Sequence, residues 1–307
     1  MTTLYITHPA CRLHDMGVGH PESPQRLDAI NDQMLASGIM GFVEECEPLP
    51  ATPGDILRVH TAEYLEYLQA HSPATGIYLL DADTLMNPHT LTAAKAAAGA
   101  GITAVDALMS GQASRAFCAV RPPGHHARPG AAMGFCLFNN VAVAAAYALE
   151  KYGLQRVAII DFDVHHGNGT EEMFAGDPRV LMCSFYQYPL FPGRGIEPSP
   201  DNMVNIPVAP HTEGAAVRKI VADRWLPRLD TFQPQLVFIS AGFDGHREDD
   251  LGQLGLVEAD FAWITEQMGA MAERWADGRV ISLLEGGYDM SALGRSVVAH
   301  VKALAKL

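Results

Sequence analysis

The sequence predicts one doubly wound α/β domain covering residues 1–307, built on a mostly parallel central sheet. Three observations carry this reading. Short apolar runs rich in β-branched residues, such as Val157–Ile160, Leu236–Ser240 and Val280–Leu284, alternate with segments of helical periodicity, the pattern of strands joined by crossover helices. Four of these runs stop abruptly at polar clusters. No internal repeat, low-complexity tract or linker interrupts the alternation.

The first short strand is Leu4–Ile6. The loop from Thr7 to Pro24 holds His8, His14, Asp15 and His20, and a loop of this length in a compact domain tends to be functional. Ser23 and Pro24 offer an N-cap and a first-turn proline to the next helix, in which local logic gives Arg26 no role. Residues 55–70 set Ile56, Val59, Tyr64, Leu65 and Leu68 at helical spacing. Asp81–Pro88 reads as a loop with solvent-facing acids. Leu91–Met109 is an Ala-rich helix whose Gly99 and Gly101 allow close packing on a sheet. Ala116–Val120 is a strand running into Arg121-Pro-Pro-Gly-His-His126, a loop stiffened by its prolines. Met133–Asn140 then leads into an Ala-rich helix reaching about Tyr152, capped by Asn139 or Asn140.

The central stretch is Val157–Gly169. Its apolar strand delivers Asp161, Asp163, His165, His166 and Asn168 within a few residues. At strand spacing Asp161, Asp163 and His165 share a face while Phe162 and Val164 pack behind them, the geometry of a metal site. Arg179–Phe185 forms another strand, residues 188–195 a Pro/Gly loop, Asn205–Val208 a short strand and Glu213–Leu229 a helix. Leu236–Ser240 ends in Ala241-Gly-Phe-Asp-Gly-His246. An amphipathic helix follows through Val257, Phe261, Ile264, Met268, Met271 and Trp275. Val280–Leu284 ends in Glu285-Gly-Gly-Tyr-Asp289, with a last helix from Ser291. Ligands of doubly wound sheets bind beyond the carboxyl ends of the strands, so the fold rule gathers the four polar clusters at one edge.

Composition narrows the partners. A net charge of −14 argues against nucleic acid, since phosphate binding relies on Lys and Arg; it would suit a cationic substrate and serves solubility equally well. Cys11, Cys46, Cys118, Cys136 and Cys183 contain no Cys-x-x-Cys pair and read as thiols of a reducing compartment. With no leader-like N-terminus and no apolar stretch long enough to span a bilayer, the expectation is a cytoplasmic protein without membrane attachment.

One imidazole and two carboxylates from different strands, with open positions left over, make a catalytic metal site. These donors suit Zn²⁺ and leave Fe²⁺ or Mn²⁺ open. A nearby His pair supplies a general base, and a Tyr hydroxyl on a glycine loop can donate to an oxyanion. Together these parts describe amide hydrolysis through a tetrahedral intermediate, with no nucleophilic Ser or Cys.

Arg121-Pro-Pro-Gly-His-His-Ala127, Gly134-Phe-Cys-Leu-Phe-Asn-Asn140, Asp161-Phe-Asp-Val-His-His-Gly-Asn-Gly169, Ser240-Ala-Gly-Phe-Asp244 and Leu284-Glu-Gly-Gly-Tyr288 closely resemble the zinc-dependent histone deacetylase family, of the arginase-deacetylase fold. Asn168 and the segment His20–Arg26 are similar to the class II and bacterial branch. The resemblance implies one Zn²⁺ per chain on Asp163, His165 and Asp244, with His126 as principal base, His125 as charge-stabilising partner or acid, and Tyr288 as oxyanion donor. It implies that Asp161 orients His125 and Asn168 orients His126. A carbonyl of Gly134 would accept the substrate amide N–H, Phe135 and Phe191 would flank a channel for the acyl-lysine stem, and Arg26 would stand beside an inner cavity for acetate release. A structural K⁺ is implied near Asp161, Asp163, His165, Ser184 and Phe185. The substrate implied is an acylated lysine peptide. Polyamine-deacetylating relatives carry a glutamate at the mouth where this chain has Leu251, which favours acyl-lysine over a small N-acetylated amine. The stretch between Gly195 and Asn205 lacks the longer glycine-rich run of many relatives. The arginase branch would require further carboxylates for a second metal, and a non-catalytic binder would have lost a ligand, the His pair or Tyr288.

Overall fold

Strands that are apolar on both faces must lie between two helical layers, and every residue of the five strands nearest the middle of this sheet is buried. A computed structural model of the chain describes residues 2–193, 195 and 197–307. Its strands are β1 (Thr3–Ile6), β2 (Glu44–Cys46), β3 (Tyr78–Leu79), β4 (Leu85–Met86), β5 (Arg115–Cys118), β6 (Val157–Asp161), β7 (Val180–Gln187), β8 (Met203–Val208), β9 (Leu236–Ala241) and β10 (Val280–Leu284). Eight form one sheet in the order β2-β1-β5-β10-β9-β6-β7-β8, parallel throughout. The remaining two, β3 and β4, make an antiparallel hairpin.

The helices are α1 (Gln25–Ala36), α2 (Pro53–Ile56), α3 (Ala62–Ala70), α4 (Thr90–Met109), α5 (Asn140–Lys151), α6 (Asn168–Phe174), α7 (Gly214–Ile220), α8 (Leu226–Phe232), α9 (Glu258–Trp275) and α10 (Met290–Ala305). The pair α4 and α5 covers one face of the central strands, and α1, α10 and α9 cover the other. Apolar side chains from both layers and the sheet form the main core.

Four local expectations change. The helix expected over 55–70 is two helices, because the chain turns inward at His60 and restarts at Thr61, whose hydroxyl caps α3. Residues 81–88 belong partly to the β3–β4 hairpin, and their acids are not all turned to solvent. Ser23 makes no side-chain cap; its carbonyl accepts from Arg26 N–H at 3.1 Å, and Pro24 takes the N-cap position of α1. The helix expected over 213–229 is α7 and α8 joined by one π-helical turn at Val221–Trp225. Gly101 packs as its small size suggests, since a Cβ there would press on Ala144 of α5 and Leu283 of β10.

Candidate active site

The four strands with polar ends, β5, β10, β9 and β6, are consecutive neighbours in the sheet. Their carboxyl ends therefore form one continuous floor. Phe162 and Val164 are fully buried behind it, while Asp163 and His165, just past β6, meet Asp244, just past β9. The ligand atoms of these three residues lie within 4.8 Å of one another. Nδ1 of His165 is 3.1 Å from both Asp163 Oδ1 and Asp244 Oδ2. The other oxygens are tied down by backbone: Asp163 Oδ2 accepts from Gly286 N–H at 2.9 Å, and Asp244 Oδ1 from Val164 N–H at 2.9 Å.

This donor set fits a cation. Two carboxylates are 1% and 0% exposed in contact with one imidazole, and paired buried carboxylates require a positive charge between them. Burial works against charging His165, yet its bonds to Asp163 and Asp244 push it up to about 10. Burial and the neighbouring Asp163 push Asp244 up as well.

The His pair faces this triad. Nδ1 of His125 is 3.0 Å from Asp161 Oδ2, and Nδ1 of His126 is 2.8 Å from Asn168 Oδ1. Burial disfavours the charged form of both rings, but Asp161, Asp163 and Glu285 hold His125 well above the usual imidazole range. His126 has no carboxylate on its ring, and burial with the neighbouring His125 and His165 drives it well below that range. The surroundings thus push the adjacent imidazoles in opposite directions.

A pocket of about 260 Å³ opens onto His126 and His165, walled by Gly134, Phe135, Leu190, Phe191, Leu251 and Tyr288 with Asp83 at its side. Phe191 stands edge-on to His126, their ring centroids 5.1 Å apart; Phe135 stands edge-on to Tyr288 at 5.8 Å. Phe135 sits at φ 69°, a left-handed conformation costly for an aromatic residue. Its N–H is held by Thr84 Oγ1 at 3.0 Å. Gly134 O accepts from the Cys136 thiol at 3.3 Å. Burial raises the Tyr288 phenol well above its ordinary value, which keeps its proton in place.

Arg26 is fully buried below the pocket. Its guanidinium lies 4.8 Å from the Tyr288 ring centroid and donates to the carbonyls of Gly287 and Glu285, at 2.6 and 2.5 Å. It also reaches Glu22 at 3.1 Å, a buried carboxylate that Arg121 grips with two nitrogens. Ser184, register partner of Asp161 across β6 and β7, donates to Asn205 Oδ1 at 2.9 Å, and Phe185 is fully buried beside it. Ile196, inside the short 195–205 stretch, and Arg194 lie outside the described residues.

Several residues of the site escaped sequence reasoning. Glu285 is buried and pushed up to about 7 by burial; it accepts from Gly124 N–H, His125 N–H and the Ser240 hydroxyl at 2.7, 3.1 and 3.0 Å. An acid directly after a buried strand was the available signal. His60 accepts from Asn139 N–H on Nε2, so Nδ1 carries the proton and donates to Arg128 O, each bond 3.0 Å. Asn139 in turn caps α5 and reaches the His125 and Ala127 carbonyls. Asp83, a loop acid that the sequence turns to solvent, lines the pocket instead.

Residues 20–304 match the histone deacetylase domain family. A histone deacetylase-like amidohydrolase of Pseudomonas aeruginosa is 37% identical over 88% of this chain and 73% of its own. A probable deacetylase of Archaeoglobus fulgidus is 38% identical over 94% and 82%. The crystal structure of the HDA15 HD domain superposes with a TM-score of 0.94 at 32% identity, covering 99% of this chain and 88% of that one.

Proposed function

The chain belongs to the histone deacetylase family, and from that premise we propose that it is, over residues 1–307, a zinc-dependent amidohydrolase that removes acetyl or other acyl groups from the lysine side-chain amide of proteins or peptides. The observation that carries this reading is the pocket itself: apolar walls from Phe135, Leu190, Phe191 and Leu251 lead a linear side chain to His126, His165 and Tyr288.

Asp163, His165 and Asp244 would hold Zn²⁺, which when bound polarises the amide carbonyl and brings the pKa of water towards neutrality. The chain's own residues do the rest. Neutral His126, its Nδ1–H committed to Asn168, offers Nε2 as base to the water that adds to the amide carbon. Tyr288 donates its hydroxyl to the oxygen on which charge develops. His125, whose imidazolium Asp161 and Glu285 favour, steadies that charge and supplies the proton that the leaving amine nitrogen takes up as the C–N bond breaks. Gly134 O is the acceptor for the scissile N–H, Arg26 borders the route for the released acid, and K⁺ near Asp161, Asp163, His165, Ser184 and Phe185 would brace the strand end beneath.

Asp83 favours a second reading, hydrolysis of acetylpolyamine or another small N-acetyl amide, because a carboxylate beside the pocket can hold a distal ammonium. The ratio of kcat/KM for an acetyl-lysine peptide against N-acetylputrescine, on one zinc-loaded preparation, separates the two. A ratio well above one is expected. A ratio well below one moves the assignment to small amines, and no amidase activity on either overturns the proposal. The five cysteines are free thiols, which supports a reducing, cytoplasmic setting; no helix among the described residues is long and apolar enough to cross a membrane.

A further inference from the structure

The segment carrying Tyr288 is rich in glycine. Gly286 and Gly287 precede it; a Cβ on Gly286 would collide with the Asp244 and Asp163 carboxylates, and Gly287 has φ 119°. Closeness to the triad thus requires glycines, which leave a backbone free to move. Behind it, Asp289 joins the segment to α10, whose Ala292 N–H its carboxylate takes. Asp163 and Phe243 hold Gly286, and beyond it Asp249 takes the next N–H groups. One of its oxygens, Oδ2, accepts from Tyr288 N–H at 2.6 Å and Asp289 N–H at 3.0 Å; the other, Oδ1, accepts from Leu251 N–H at 3.0 Å. Asp249 is 5% exposed. From the opposite side Arg26 holds the carbonyls of Gly287 and Glu285.

We infer that Asp249 is a positioning residue that, with Arg26, clamps the glycine loop by its N–H and C=O groups, and that its two oxygens set Tyr288 and the pocket-wall residue Leu251 in one register. This inference rests on the proposed role of Tyr288 as oxyanion donor. Charge-assisted bonds to backbone N–H groups are short and strong, and an oxyanion donor works only when its position is fixed beforehand. Two oxygens are required. An Asn in this place keeps one acceptor and turns an amide N–H towards the other set of donors, so one arm of the clamp must open.

The test compares Asp249→Asn with the parent, both zinc-loaded. Its kcat is expected to fall about tenfold or more with KM within about threefold and zinc content unchanged. In a Tyr288→Phe background the same substitution should cost less than about twofold further, since a residue acting through Tyr288 has nothing left to position. A kcat within twofold of the parent, or full additivity with Tyr288→Phe, overturns the inference. Hydrogen exchange of the unsubstituted chain gives a readout independent of any variant's folding and of amidase activity. The Tyr288 and Asp289 amides should exchange about a hundredfold more slowly than those of the exposed residues 74–77; exchange as fast as that loop overturns the clamp even if the chain proves an active deacetylase.

Discussion

Asn168 Oδ1 lies 2.8 Å from His126 Nδ1, and this bond decides which ring nitrogen faces the pocket. An amide oxygen only accepts, so Nδ1 carries the proton and Nε2 is left basic. The amide also adds no charge, unlike Asp161 on His125. Asn168→Asp would put a carboxylate on the His126 ring, favour the imidazolium and raise its pKa. A base acts when deprotonated, so the acidic limb of the kcat profile should move to higher pH by about one unit. Profiles of the two proteins decide this, and an unmoved limb would remove His126 from the role of base.

Metal removal should be visible in stability. Asp163 and Asp244 lie against each other through His165, and an ion that binds the folded chain alone stabilises it by about 2.7 kcal/mol at a hundred times its Kd. Chelation is expected to lower Tm and Zn²⁺ to restore it. Asp244→Asn should abolish that zinc-dependent rise. A substituted chain that still gains the full increment would show that the ion sits elsewhere.

His60 makes acid stability predictable. It is buried with both ring nitrogens bonded, and burial, opposed by its backbone acceptors, lowers its pKa from 6.5 to about 4. The unfolded chain takes up the proton below pH 6.5, whereas the folded chain resists until about 4. Stability contributed by neutral His60 is therefore present above pH 6.5 and lost as pH falls towards 4, by roughly 3 kcal/mol over the whole window. Urea unfolding at pH 7.0 and 4.5 should show a smaller acid loss for His60→Gln than for the parent. Equal losses would place the proton uptake on other groups.

What was legible from sequence follows from which groups speak locally. The strands β6, β9 and β10 announce themselves as β-branched runs that stop at acids and glycines, and the parallel-sheet rule then predicts that their ends meet; β5, β10, β9 and β6 do lie side by side. His60 and Asp249 could not be read in this way. Each acts on backbone N–H or C=O groups of a segment far along the chain, and any sequence supplies those groups, so no residue pattern marks the partner. The same blindness broke the 55–70 helix: its apolar spacing is real, but two long-range bonds of His60 outweigh helical continuity there. Asp83 departs from its expected place because the β3–β4 turn that carries it is ordered by Asp81, which accepts from Asp83 N–H and Thr84 N–H.

Leu251 tests the choice between substrates directly. It lines the pocket with Phe135 and Phe191, and the Asp249 carboxylate holds its N–H at 3.0 Å, so a substitution there alters the wall and leaves the triad in place. Leu251→Glu adds a second carboxylate to the pocket that Asp83 lines. A distal ammonium gains a partner at short range, while a lysine stem loses apolar contact. The ratio of kcat/KM for N-acetylputrescine over an acetyl-lysine peptide is expected to rise about tenfold, mostly through KM, because the change touches binding equally in ground and transition states. Zinc content should not change. If the ratio stays put while both activities persist, the part of the substrate that distinguishes peptide from polyamine does not pass Leu251, and Asp83 with the loop around His20, whose ring lies 4.8 Å from that of Phe135, becomes the place where that distinction is made.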